Sequence, residues 1–267
     1  MQDLSSVGRW YPQRIVCLAA EAPEILDRLG AFDRVVGVSG FARRPPQVRT
    51  KPKVGGFADP DLEKIRALRP DLVIGISDLQ ADALARLVRQ GFPVLALNPH
   101  RLEDVWRNIL LVGGAVGLQS EAERLAASLQ ETLRSLRDGL CLPRKPRVFF
   151  EEWPDPLISG IGWVGELIEL LGGEDAFPEL REQIQASGRI VTMEEVAARR
   201  PDVIIASWCG KKADLAAIRQ RPAWRDIPAV RHGHIYEIHS DVILQVGPSL
   251  VEGARQIRQI LERWARS

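Results

Sequence analysis

Aromatic side chains in predicted loops are the residues of this sequence best suited to hold a ligand. Only 6% of the residues are aromatic, yet seven of them are tryptophan. Trp153 and Trp208 lie just past the carboxyl ends of predicted strands, and Trp163 precedes a predicted helix in a glycine-flanked segment. Ligands of open α/β sheets bind outside the carboxyl ends of the strands, and indole rings supply contact area at little entropic cost. We therefore predict that these tryptophans bind a large, flat, partly apolar ligand, with Phe41 and Phe57 in analogous loops nearer the amino terminus.

An internal repeat places two glutamates at equivalent positions. Glu63 begins a predicted helix that leads into an Arg-Pro-Asp turn at 69–71, and Glu194 does the same before the Arg-Pro-Asp turn at 200–202, 131 residues later. Such glutamates either stabilise a helix amino terminus, by about 0.3–1 kcal/mol, or form a symmetric pair of acidic contacts for a basic partner. The symmetry alone does not distinguish the helix-stabilising role from the docking role.

Catalytic and metal-binding patterns are missing. The sequence has no GxSxG, GxxxxGK[ST], HExxH or GxGxxG motif. The cluster His232, His234 and His239 surrounds a predicted turn, where we expect the histidines to face solvent, and no two of the three cysteines share a CxxC spacing. These patterns therefore single out no catalytic residue and predict no metal site.

Charge and hydropathy argue against two further classes, nucleic-acid-binding proteins and membrane-spanning proteins. The 267 residues carry 36 basic and 35 acidic side chains, without the basic excess of proteins that bind nucleic acid. No apolar window reaches the length of a membrane-spanning helix. The first residues lack a cationic region followed by an apolar one, so the sequence as written predicts no secretory signal.

Predicted strands and helices alternate on both sides of a long helical segment. The predicted strands are 14–20, 34–38, 72–76, 93–97, 147–150, 203–207 and 234–238. Between the fourth and fifth, leucines and valines recur at helical spacing, with a bend expected at 113–117. We predict an α/β fold of two similar lobes, each a mostly parallel sheet flanked by helices. The predicted boundaries are 14–101 for the amino-terminal lobe, 102–142 for one long bridging helix and 143–267 for the carboxyl-terminal lobe.

Several segments carry a resemblance to a known family. EEWPDPL at 151–157, GWV at 162–164, ELIELLGG at 166–173 and SWCG at 207–210 resemble the cobalamin-binding proteins of ABC importers. The stretch 223–236 is similar to a segment of the wider family of iron-siderophore, haem and vitamin B12 substrate-binding proteins. The resemblance extends over about residues 14 to 265.

The resemblance implies roles for individual residues. It implies a corrinoid held in a cleft between two lobes bridged by one rigid helix. Phe41 and Phe57 stand where the family lines the amino-terminal side, and Trp153 and Trp163 stand in loops facing the corrinoid. Asp241 stands where the family has an aspartate near the ligand. Gly188 offers no side chain where some relatives present tryptophan, so Trp208 is expected to cover that face. Glu63 and Glu194 match two docking glutamates that meet arginines of the permease.

Cobalamin capture for an ABC permease, by a monomer, is therefore the function expected. Because such a protein makes and breaks no bond, the resemblance implies a binding protein rather than an enzyme, with no catalytic cofactor. Relatives are exported, which implies a periplasmic or extracytoplasmic protein, whereas the sequence as written would stay in the cytoplasm if Met1 is the true start. A ferric siderophore or haem binder is the alternative within the family, since Arg43, Arg44, Lys211 and Lys212 suit an anionic chelate. A cytosolic cobalamin-handling protein or enzyme on the same fold is the alternative of another class.

Overall fold

A computed structural model of the protein describes residues 10–56, 59–76 and 78–267. The chain divides into two units. Unit 1 comprises Met1–Pro99 and Asp104–Ser128, and unit 2 comprises His100–Glu103 and Leu129–Ser267. The segment predicted as a separate bridge, 102–142, is thus shared between the two units in this division, and its bridging role stays a prediction.

Unit 1 is built on a parallel sheet, as predicted. Its described strands are β1 (Ile15–Cys17), β2 (Val35–Val38), β3 (Leu72–Ile76) and β4 (Val94–Leu97), in the order β2-β1-β3-β4. β1 and β3 are buried along their whole length, which explains their continuous apolar sequences. The described helices that connect the strands are α1 (Ala22–Arg28), α2 (Leu62–Ala67) and α3 (Ala81–Arg89).

The long helical segment is two helices. α4 (Glu103–Val116) and α5 (Gln119–Arg137) are separated by Gly117, whose φ of +76° only glycine adopts easily. The Gly117 amide donates to the Gly114 carbonyl at 3.3 Å, and the Leu118 amide donates to the Gly113 carbonyl at 2.8 Å. The single bent helix expected from the sequence is therefore wrong in detail, because these turn bonds end α4 at Val116.

Two adjacent glycines of α4 should respond oppositely to the same substitution. A methyl group at Gly113 would lie 2.3 Å from Cβ of Ala122, whereas at Gly114 its nearest neighbour is the mobile end of Gln119 at 3.1 Å. We expect Gly113→Ala to lower the free energy of unfolding by about 1–3 kcal/mol through overpacking. Gly114→Ala, the matched control, should be neutral or stabilise the protein by up to about 1 kcal/mol, because alanine favours helix. Urea unfolding measures both, and equal effects would show that α4 and α5 are not packed as described.

Unit 2 repeats the parallel sheet and adds a hairpin. Its described strands are β5 (Arg147–Pro154), β6 (Leu157–Ser159), β7 (Glu174–Asp175), β8 (Val203–Ala206) and β9 (Ile235–Glu237). The order is β6-β5-β8-β9, β7 pairs with the start of β5, and only β6 is antiparallel among these strands. Its described helices are α6 (Gly162–Leu170), α7 (Met193–Arg199), α8 (Leu215–Arg219), α9 (Pro228–Arg231), α10 (Ser240–Ile243) and α11 (Leu250–Ala265).

The internal repeat is visible in the backbone. Arg69 and Arg200 are the described non-glycine residues with positive φ, at +46° and +49°. Two residues after each, an aspartate carboxylate accepts a hydrogen bond from a backbone amide. The Arg14 amide, just before β1, donates to Asp71, and the Arg147 amide, at the start of β5, donates to Asp202, both at 2.8 Å. We call this arrangement the Arg-Pro-Asp lock. It fixes the same helix-to-strand connection in both units.

The core of unit 2 is aromatic. Phe149 on β5 contacts Phe177 and Trp224 edge to face, each at a centroid distance of 5.8 Å. The fully buried Trp224 also donates from Nε1 to the Met193 carbonyl at 3.0 Å. Trp224 is therefore a core residue. Across the described residues, no helix combines the length and apolarity that crossing a membrane requires.

Candidate functional site

Trp208 lies at the carboxyl end of the unit 2 sheet. It follows β8 after the single residue Ser207, as predicted, and its ring is half-buried. Its indole Nε1 donates to Oε1 of Glu151 at 3.1 Å. Glu151 lies on the neighbouring strand β5 and is completely buried. The orientation of the Trp208 ring is therefore set by a carboxylate beneath the surface.

The Glu151 carboxylate is bound by the largely buried side chain of Arg221. Arg221 donates to Glu151 through both terminal nitrogens, at 2.5 and 2.9 Å, and its side chain is 11% exposed. The guanidinium also lies 4.2 Å from the ring centroid of Trp224. Burial raises the pKa of Glu151, and the bonds from Arg221 and Trp208 oppose that rise. Arg221, Glu151 and Trp208 thus form a rigid chain from the core to the surface, which we call the Trp208 support.

Trp153 belongs to a strand and not to a loop, which corrects the sequence prediction. β5 continues to Pro154, and Trp153 pairs with Ile158 of β6. The three-residue strand β6 is too short to give a sequence signal, yet its pairing extends β5. The half-buried Trp153 ring donates from Nε1 to the Asp155 carbonyl at 3.0 Å, and Lys211 Nζ lies 4.7 Å from its centroid. One face of this ring therefore already carries a cation.

A second buried ion pair supports the hairpin. Arg189 is 1% exposed and donates through Nη1 to Glu152 Oε2 at 2.5 Å and to the Ser159 carbonyl at 2.6 Å. Neither Arg189 nor Arg221 is predicted as a site residue from the sequence. The available signal was the pair Glu151-Glu152 directly after the apolar run of β5, because carboxylates at a buried strand end need cationic partners.

Trp163 is placed differently from the prediction. It lies in the first turn of α6 rather than before the helix, and it is only 5% exposed. Its indole Nε1 donates to the Ile243 carbonyl at 3.0 Å. The ring is therefore packed inside unit 2, where it connects α6 to the residue that ends α10.

Asp241 lies in the first turn of α10. Its Oδ1 lies 2.5 Å from Nδ1 of the exposed His239, and its side chain is 19% exposed. Both residues follow β9, so the side chains after β5, β8 and β9 share the carboxyl edge of the unit 2 sheet. In the described part of the chain no three His, Cys, Asp or Glu side chains converge as metal ligands.

Unit 1 presents an aromatic residue at the same edge of its own sheet. Phe41 follows β2, is 42% exposed, and its amide donates to Ser39 Oγ at 3.2 Å. Phe57, its predicted companion, lies outside the described residues.

Glu63 and Glu194 occupy equivalent exposed positions. Each is the second residue of its helix, α2 or α7, and follows a side-chain cap, Asp61 or Thr192. The Glu63 side chain is 77% exposed and forms a 3.3 Å ion pair with Arg66. Glu194 is exposed as well. The geometry matches the repeat, and the docking role stays a prediction.

Comparisons with known proteins identify the family. The family description "Periplasmic binding protein" matches residues 15–242. An ABC transporter substrate-binding lipoprotein of Bacillus subtilis (strain 168) is 29% identical over 258 residues, covering 93% of this chain and 79% of that protein. A vitamin B12-binding protein of Vibrio parahaemolyticus (serotype O3:K6) is 27% identical over 254 residues, covering 94% and 90%.

A solved structure agrees with the fold. The periplasmic haem-binding protein of Roseiflexus sp. RS-1, in its apo form, is 26% identical with a TM-score of 0.83, covering 95% of this chain and 99% of that one. The relatives are substrate-binding transport proteins of the extracytoplasmic space and not enzymes. The chain therefore belongs to the periplasmic binding protein family, in the group that serves ABC transporters with vitamin B12, haem or siderophores.

Proposed function

We propose that this protein captures a corrinoid, cobalamin or a close relative, outside the cytoplasm and delivers it to the permease of an ABC importer. The observation that carries the proposal is the Trp208 support, which holds an indole ring in fixed orientation at the carboxyl edge of a sheet. A planar macrocycle gains most from a ring that loses no freedom on binding. The similarity to vitamin B12-binding proteins supports the same ligand.

Each predicted ligand residue has a distinct place in this proposal. Trp208, Trp153 and Phe41 supply exposed or half-buried ring surface, with Phe57 as their predicted companion. Asp241 accepts hydrogen bonds from the amide groups at the corrinoid rim. Trp163, being buried, backs the site and does not stack on the ligand. Because no bond is made or broken, the protein needs no catalytic residue.

Haem is the second candidate ligand, and the haem-binding protein of Roseiflexus favours it. Haem iron is commonly held by a histidine or tyrosine. The Tyr236 hydroxyl is engaged with His234 Nδ1 at 3.0 Å, and the Tyr11 ring lies against Gly117. The Tyr236 hydroxyl thus already has a partner, and the similarity to vitamin B12-binding proteins is why we place the corrinoid first.

Titration with cyanocobalamin tests the proposal. We expect one-to-one binding with a Kd on the order of nanomolar to low micromolar, seen by calorimetry and by quenching of tryptophan fluorescence. Trp208→Ala and Trp153→Ala should each weaken binding about tenfold, because a stacked ring is lost. Trp264→Ala is the matched control, since this half-buried tryptophan lies on α11 over Arg144, next to the amino end of β5. Absence of binding by the wild type at about 100 μM cyanocobalamin would contradict the corrinoid assignment.

Delivery to the permease should depend on Glu63 and Glu194. We expect the double variant Glu63→Ala/Glu194→Ala to keep the wild-type Kd for cobalamin and to lose most cobalamin uptake, because each carboxylate is exposed for an arginine of the permease. Uptake of labelled cobalamin by cells that carry only the variant measures this. The control Glu121→Ala/Glu131→Ala removes two α5 glutamates that form similar three-residue-spaced ion pairs. Equal uptake by both double variants would refute the docking role.

A further inference from the structure

One long stretch of unit 1 carries only positive charge. Between Asp33 and Asp59 the sequence contains no acidic residue, although acidic and basic residues balance in the chain as a whole. The same stretch holds six basic residues: Arg34, Arg43, Arg44, Arg49, Lys51 and Lys53. We call residues 39–55 within it the basic loop.

The basic loop is fixed at the carboxyl edge of the unit 1 sheet. It leaves β2 after Val38, and Lys53 returns to form an isolated parallel bridge with Val38. The Val54 amide donates to the Val38 carbonyl at 3.0 Å, and the Gly40 amide donates to the Gly55 carbonyl at 2.9 Å. The two ends of the loop are thus tied together, and Arg43 follows the exposed Phe41 by two residues within it.

The charges of Arg43 and Lys53 are not neutralised by a carboxylate in the part of the chain that the structure describes. Lys53 Nζ donates to the Val48 carbonyl at 3.0 Å, and Arg43 Nη1 reaches the Gly40 carbonyl at 3.4 Å. Neither cation forms an ion pair with a carboxylate of the described residues, whereas lysine and arginine on the following helix α2 both do. Burial and the nearby charge of Arg43 both lower the pKa of Lys53. The two cations therefore repel each other and would gain from a shared anion.

In unit 2 a lysine lies over an aromatic ring. Lys211 lies over the Trp153 ring, 4.7 Å from its centroid, and forms no ion pair with a described carboxylate. Both units thus present, at the carboxyl edge of a sheet, an aromatic residue and a cation that pairs with no described carboxylate. In the interior of unit 2, by contrast, Arg221 and Arg189 are each paired with a carboxylate.

We propose that the basic loop is a subsite for an anionic group, a phosphate or a carboxylate, carried by the ligand whose ring system stacks on the aromatic residues. Arg43 and Lys53 bind the anion, and Phe41 contacts the adjoining apolar surface. This rests on the proposed function, because cobalamin carries one phosphodiester on its nucleotide loop. A porphyrin with carboxylate side chains would place an anion at the same subsite.

The test compares two corrinoids that differ in this group. Cyanocobalamin contains the phosphodiester, and dicyanocobinamide lacks both it and the nucleotide base. We expect Arg43→Gln/Lys53→Gln to weaken cyanocobalamin binding about tenfold or more and to leave dicyanocobinamide binding within about twofold. Raising NaCl from about 50 to 500 mM should weaken only the first ligand. The control Arg86→Gln/Arg89→Gln removes two exposed charges from the last turn of α3, which leads back to the start of β4, and should change neither affinity.

The outcomes separate this inference from the proposed function. Equal weakening of both corrinoids, or no weakening of either, would overturn the subsite. If the wild type binds neither corrinoid but binds iron protoporphyrin, and the Arg43→Gln/Lys53→Gln variant loses that binding, the corrinoid proposal fails and the subsite stands. If the wild type binds none of the three, both proposals are wrong.

Discussion

Replacing Arg221 with methionine should lower the free energy of unfolding by about 3–5 kcal/mol at pH 7. The substitution leaves the completely buried carboxylate of Glu151 without its cation, with only the Trp208 indole as a remaining side-chain donor. Desolvation of that carboxylate is the largest cause of its raised pKa, and the loss of Arg221 removes the main opposing effect. Urea unfolding followed by circular dichroism measures the loss.

The double variant Arg221→Met/Glu151→Leu is the control for this prediction. It removes both charges, so we expect it to recover most of the lost stability. In Arg221→Met alone, the folded protein should bind a proton at Glu151 more readily than the unfolded chain does. Its stability should then fall as the pH rises above the ordinary pKa of a glutamate, more steeply than that of the double variant. A single variant as stable as the wild type would show that the ion pair does not stabilise unit 2.

Replacing Glu21 with glutamine should change how stability depends on pH. Glu21 precedes α1, is 2% exposed, and its Oε1 has no hydrogen-bond partner among the described residues. Burial is the main cause that raises its pKa from 4.5 to about 7. The unfolded chain loses this proton near pH 4.5 and the folded protein near pH 7, so the wild type should lose about 3 kcal/mol of stability as the pH rises through this interval.

Glutamine does not titrate, so this loss should disappear. We expect Glu21→Gln to match the wild type at about pH 4.5 and to exceed it by about 3 kcal/mol at pH 8. The matched control is Glu123→Gln on the exposed face of α5, whose pH profile should follow that of the wild type. Parallel profiles for Glu21→Gln and the wild type would disprove the assignment. The reactivity of the Cys17 thiol can be measured on the same protein. Burial and the Glu21 charge both raise the pKa of this thiol. It should remain unreactive toward thiol reagents in the folded protein.

Local patterns predicted the parts of the fold that depend on neighbouring residues. The continuous apolar runs of β1, β3 and β8 identified buried parallel strands, and the repeated Arg-Pro-Asp turns identified two related units. The same patterns placed Trp208 correctly, because it directly follows such a strand. Trp153 was misplaced because its strand depends on pairing with β6, and three residues are too few for periodicity to appear.

The ion-pair partners that support the candidate site could not be predicted from one sequence. Arg221 lies 70 residues from Glu151, and Arg189 lies 37 residues from Glu152. A single sequence shows that buried carboxylates need partners, but it does not show which of its 36 basic residues supply them. The burial of Trp163 has the same origin, since its partner Ile243 is 80 residues away.

The Arg-Pro-Asp lock separates the part of each unit that is shared from the sheet edge that differs between the units. Both units keep the lock and the two strands it joins, as expected of two copies descended from one duplicated ancestral gene. They differ at one sheet edge, where β2 in unit 1 corresponds to β7 together with the β5–β6 hairpin in unit 2. Mutations that lengthen, shorten or replace this edge leave the lock intact. Phe41 follows β2 and Trp153 lies on the hairpin, so two residues that we propose to contact the ligand lie at the edge where the two units differ.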